Sequence, residues 1–99
     1  MNVNGYETFT TFYMDFSIAD KFGVNAIKDT YKRAFKEWKS DYKYLTELVM
    51  VLNWKLWHHY ENGNEVLAKV YDELWREAHD YAYDTLKGEE LSYYYQTTN

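Results

Sequence analysis

Three glycines, at positions 23, 63 and 88, interrupt a chain that contains no proline, and between them apolar residues recur at steps of three and four. That spacing is the period of an amphipathic helix, and a glycine just past the last periodic residue is a common left-handed stop. Read this way, the chain is all-α, a small three- to four-helix bundle with an aromatic-rich core and a short C-terminal tail. Ninety-nine residues leave too little buried surface to divide between two cores, so residues 1–99 are expected to form a single helical domain.

The first segment places Phe9, Phe12, Tyr13, Phe16, Ala19 and Phe22 on one stripe, which predicts a helix over about residues 7–22 ended by Gly23. Threonines at 8, 10 and 11 weaken that helix, and Ser17 with Asp20 reads alternatively as a capping box that opens a shorter one. Asn25 is the expected N-cap of a second helix with Ile27, Tyr31, Ala34, Phe35 and Trp38 on its apolar face. Ser40 or Asp41 caps a third reaching about Glu61, although no breaker separates the two and a single kinked helix fits as well. Gly63 then stops the chain, and Asn64 caps a fourth helix over roughly 65–87, ahead of Gly88. So short a link makes the third and fourth helices an antiparallel hairpin. The tail EELSYYYQTTN is left without an assigned conformation.

On the third helix Leu45, Leu48, Val49, Leu52, Leu56, His59 and Tyr60 form the expected core stripe, and Thr46, Glu47, Asn53 and Lys55 are expected to meet water. The opposite side is also apolar, with Met50, Trp54 and Trp57 together and Val51 and His58 flanking. A helix apolar nearly all round needs cover on more than one side. Met50, Trp54, Trp57 and His58 are therefore a candidate contact surface, covered by the Tyr93-Tyr94-Tyr95 tail, by a second copy of the chain or by another protein. Tryptophan, tyrosine and methionine are favoured at interface centres for their large, adaptable contact area. Twelve Tyr, five Phe and four Trp supply that area in abundance.

The chemistry such a chain can perform is narrow. It has no cysteine, which excludes disulfides, thiolate catalysis and Cys-ligated zinc. His58 and His59 point about 100° apart on a helix and cannot both hold one ion. His58 and Glu61 make an H-x-x-E pair and His79 lies on another helix, but nothing resembles H-E-x-x-H, and no metal or other cofactor is expected. The serines are Ser17, Ser40 and Ser92, none in G-x-S-x-G, and there is no glycine-rich phosphate loop. An enzyme is not expected.

Charge is unevenly placed. The net value of −5 argues against a protein devoted to phosphate backbones, yet Lys28, Lys32, Lys36 and Lys39 form a basic ridge along the second helix. Its aromatic residues lie on the buried side, away from any base they could stack on. On the fourth helix Glu73, Glu77, Asp80 and Asp84 make an acidic strip, suited to a solvated face or to docking a basic partner. The start MNVNGYETFTTFYM has no basic stretch ahead of an apolar run, and no segment reaches the ~18 apolar residues of a membrane span. A cytoplasmic location away from membranes is expected.

The runs DFSIADKFG, IKDTYKRAFKEWKSDYKYLTELVMVLNWKLWHHY and YDELWREA resemble small uncharacterised proteins of conjugative transposons and related mobile elements of Gram-positive bacteria. The resemblance spans most of the chain and carries over no catalytic or binding residue. It implies an accessory protein that acts by binding, as regulators and host-defence inhibitors of mobile elements do. The expected function is thus a non-catalytic protein-binding accessory or regulatory module, with an unidentified protein or a second copy as partner. The alternative is nucleic-acid binding through Lys28, Lys32, Lys36 and Lys39.

Overall fold

A computed structural model describes residues 5–98, and the side chains of residues 8–98. These residues form five helices: α1 (Gly5–Asp20), α2 (Val24–Trp38), α3 (Tyr42–Glu61), α4 (Glu65–Thr85) and α5 (Glu89–Thr98). The all-α class is as expected, whereas the count is one more than the three to four anticipated because the tail is itself a helix. α1, α3 and α5 run in one sense and α2 and α4 in the other, so chain neighbours lie antiparallel. Phe9 meets Trp54 while Asp20 meets His59, which sets α1 alongside α3 in the same direction.

Local chemistry accounts for most boundaries. The Asp41 carboxylate accepts from the backbone N–H of Lys43 and Tyr44, and this cap separates α2 from α3. Gly63, at φ +77°, ends α3 with the N–H of Asn64 on the His59 carbonyl and its own N–H on Tyr60, the paired bonds of a Schellman stop. The side chain of Asn64 then accepts from Leu67 N–H and opens α4. α2 departs from expectation: it starts at Val24, with Gly23 in the N-cap position and no side-chain cap, so Asn25 is already inside the helix. α1 stops at Asp20, which leaves Phe22 in the following turn and 77% exposed rather than in the core stripe.

One buried cluster draws side chains from all five helices, centred on Phe16, Ile27, Leu45, Leu48, Leu52, Tyr71, Ala78 and Tyr94. α3 is its axis, since each of the other four helices packs against it. Its buried arc is correspondingly wide, and this overturns part of the wheel drawn from sequence. Thr46, Glu47 and Lys55, expected to meet water, are buried, while Tyr60, expected in the core, is 64% exposed. Thr46 keeps its hydroxyl satisfied by donating to the Tyr42 carbonyl at 2.7 Å. No helix is long and apolar enough to cross a membrane, among the described residues.

Candidate functional site

Consecutive residues on α3 point about 100° apart, so Trp54 and Trp57 face outward while Lys55 between them faces in. The inward side chain enters a buried polar cluster. Lys55 Nζ lies 2.6 Å from Asp20 Oδ2 and donates to Ser17 Oγ at 3.2 Å, and Ser17 Oγ in turn donates to the Tyr13 carbonyl. His59, one turn further along α3, places Nε2 2.8 Å from the same Asp20 oxygen. The other carboxylate oxygen accepts from Tyr71 Oη of α4 at 2.5 Å. The rings of His59 and Tyr71 stack at 5.5 Å, and the Lys55 ammonium sits 4.8 Å from the Tyr13 ring centre.

Three helices are thus tied at one carboxylate. The Lys55 side chain is 3% exposed and that of Asp20 14%, so the pair is desolvated and depends on its full set of partners. Burial, then the bond to Asp20, pushes the Tyr71 phenol far above its ordinary value, so Tyr71 remains a donor. Asp20 also sits at the C-terminal, electronegative end of α1, where an anion is unfavourable without a cation beside it. Sequence reading sent Lys55 to water and gave Asp20 only a capping role. The missed signal was a lysine within a helix otherwise apolar nearly all round.

The outward side of α3 is open. Trp54, Trp57 and Tyr60 are 59%, 52% and 64% exposed, and His58 is exposed beside them. Trp54 leans edge-on against Phe9 at 5.4 Å, and Trp57 against Tyr60 at 5.6 Å. Met50 alone of the anticipated surface is half-buried, lining a cavity of about 140 Å³ with Trp54, Trp75, His79, Tyr94 and Thr98. α5 therefore covers the Met50 end and leaves both tryptophans free. Within that corner His79 Nδ1 lies 2.5 Å from Tyr94 Oη, and the Trp75 ring stacks on His79 at 5.0 Å. Burial is the main reason the Tyr94 phenol is raised well above its ordinary value.

Glu73, Glu77, Asp80 and Asp84 are all exposed, on the flank of α4 roughly opposite Trp75 and His79. The aromatic side of α3 and the acidic strip are consequently separate surfaces, not one. Lys28, Lys32, Lys36 and Lys39 are exposed along α2, while Tyr31 is buried and Phe35 and Trp38 are half-buried on its other side. Among the described residues no three His, Asp or Glu side chains converge as metal ligands would.

A second concavity lies between α1 and α2, an open groove of about 840 Å³. Its floor is Phe12, Phe16 and Ala19, and the α2 wall is built from the small residues Ala26, Thr30 and Ala34. Ile18 and Phe22 stand at its rim. No protein family, curated protein or solved structure matches the chain.

Proposed function

We propose that this chain is a non-catalytic protein-binding accessory or regulatory module whose partner docks on the outward side of α3. The observation that carries this reading is the exposure of Trp54, Trp57 and Tyr60 together on neighbouring turns of one helix. Each ring left in water forgoes roughly 25 cal/mol for every Å² of apolar surface that a partner would cover. Trp and Tyr are also the residues that most often dominate interface energies. The packing of α5 supports the reading, because this helix fills the core through Tyr94 and still leaves the tryptophans uncovered.

The acidic strip of Glu73, Glu77, Asp80 and Asp84 offers a second, electrostatic surface that suits a basic partner, including a nucleic-acid-binding protein whose site it would occupy. The resemblance to mobile-element proteins favours a regulator or host-defence inhibitor as the setting. Affinity capture from a Gram-positive host, comparing the wild type with Trp54→Ala plus Trp57→Ala, tests the reading. A partner retained by the wild type and lost by the double variant is expected; a set of partners identical for both would overturn it.

The rival reading, nucleic-acid binding, draws on the exposure of Lys28, Lys32, Lys36 and Lys39 in one line. Its aromatics are turned inward, so the ridge offers charge without stacking. A gel-shift series in rising salt separates the two. Retardation abolished by Lys32→Glu plus Lys36→Glu would replace the protein-binding reading, and absence of retardation at low salt removes the rival.

A further inference from the structure

Three helices meet around the cavity of about 140 Å³: α3 contributes Asn53 and Trp54, α4 Trp75 and His79, and α5 Tyr94 and Thr98. An apolar cavity of about 150 Å³ holds one benzene ring, so this one admits a single six-membered ring and little more. Its lining decides what kind of ring. None of the described residues that line it is a carboxylate, a lysine or an arginine, which favours a neutral ligand.

The hydrogen-bonding groups can be assigned one by one. Tyr94 is fully buried, and its hydroxyl meets His79 Nδ1 and no other acceptor among the described residues. Burial keeps that phenol protonated. Its proton therefore goes to Nδ1, and the neutral imidazole carries its own proton on Nε2. Nε2 has no partner among the described residues, and the Trp75 ring stacked at 5.0 Å holds the plane of the imidazole. Asn53 is half-buried and its carboxamide bonds to none of the described residues, so a donor and an acceptor stand side by side in one plane. Thr98 donates its hydroxyl proton to the Tyr94 carbonyl and keeps lone pairs with which to accept. Water could satisfy all of these groups. It would leave the flat apolar walls of Trp54 and Trp75 unused, whereas a planar ring covers them.

We infer that this cavity binds a free small molecule built on one planar six-membered ring in which a carbonyl adjoins an N–H, the pattern of a pyrimidine base. That edge pairs reciprocally with the Asn53 carboxamide, and a second carbonyl accepts from His79 Nε2. Trp54 lines the cavity and is also 59% exposed, so it marks the mouth. The site does not rest on the docking reading, since Trp57 and Tyr60 are not among its lining residues.

Uracil titrated into the isotope-labelled full chain, followed by NMR through the indole N–H signals, tests the assignment. Those of Trp54 and Trp75 are expected to move saturably, with a Kd of about 1 mM or tighter, while those of Trp38 and Trp57 stay in place. Uracil methylated at both ring nitrogens keeps the ring and carbonyls without the N–H, and should bind roughly tenfold more weakly. Asn53→Leu, similar in size and lacking the amide, should weaken uracil by a similar factor with an unchanged circular dichroism spectrum, and Trp57→Ala should not weaken it. The absence of a saturable shift in the wild type up to about 10 mM uracil overturns the inference, because water alone then fills the cavity. Equal binding of uracil and its methylated form, or wild-type affinity in Asn53→Leu, overturns it as well. A uridine oligonucleotide held more tightly than the free base would assign the pocket to nucleic acid and overturn the small-molecule reading.

Discussion

The ammonium of Lys55 and the carboxylate of Asp20 meet at 2.6 Å in the interior, joining the middle of α3 to the last residue of α1. Removing one member of a desolvated pair strands the other. Lys55→Met is therefore expected to cost about 3–5 kcal/mol, a large share of what a domain of this size holds in reserve. Asp20→Asn should cost at least as much as Lys55→Met, because it strands the ammonium, the more deeply buried of the two charges, whereas the carboxylate left by Lys55→Met keeps His59 and Tyr71 beside it. Urea denaturation of both variants and of the double variant gives the coupling. A Lys55→Met loss below about 1 kcal/mol would mean that the ammonium reaches water in solution.

Glu47 provides a pH-dependent test. It is buried, and burial raises its carboxyl above the ordinary value, so the fold holds the proton that the unfolded chain has released. In the interval between the unfolded and folded values the native state binds more protons, and stability falls as pH rises. Above the folded value the penalty is constant. Glu47→Gln removes it, and is expected to raise the melting temperature at pH 7 while changing it little near pH 4. Equal shifts at both pH values would contradict this account.

Trp57 touches Tyr60 and is otherwise half in water, so Trp57→Ala should change unfolding free energy by no more than about 0.5 kcal/mol. Tyr94 is the opposite case. It is fully buried in the helix formed by the tail, and Tyr94→Ala is expected to cost about 3–5 kcal/mol through the cavity it opens. Tyr95→Ala, a neighbouring position at the surface, serves as the control. If Tyr94→Ala and Tyr95→Ala melt alike, α5 is not docked as described.

Tyr71→Phe isolates a single bond of the Asp20 cluster. It leaves the ring stacked on His59 and removes the donor to Asp20, leaving Lys55 and His59 on the other oxygen. A hydrogen bond to a charged group contributes about 1.5–3 kcal/mol, and a loss in that range is expected from chemical denaturation.

The sequence was most readable where local chemistry decides the outcome. Asp41, Gly63 and Asn64 act through bonds to backbone within a few residues, and the α3–α4 hairpin follows from them. It was least readable where tertiary context decides. A helical wheel assigns one buried side, but α3 is covered by four neighbours, so Lys55, Glu47 and Thr46 were misplaced in water and Tyr60 in the core. The tail has no stop or cap strong enough to announce a ten-residue helix, and its helicity comes from seating Tyr94. Of the candidate surface, Trp54, Trp57 and His58 are exposed and Met50 is half-buried. The acidic residues were legible as a strip but not as a separate flank, because one helix alone does not reveal how the next is rotated.

The alternation of Trp54, Lys55 and Trp57 along α3 has a mechanical meaning. Lys55 is anchored to α1 at Asp20, and Trp54 and Trp57, one residue before it and two after, carry the exposed rings, so α3 cannot turn about its own axis without breaking that ion pair. The helix positions from which the two indoles project are set by that anchor. A partner docking there, as proposed, would meet a helix backbone already ordered, and would lose less conformational freedom than in ordering a flexible segment.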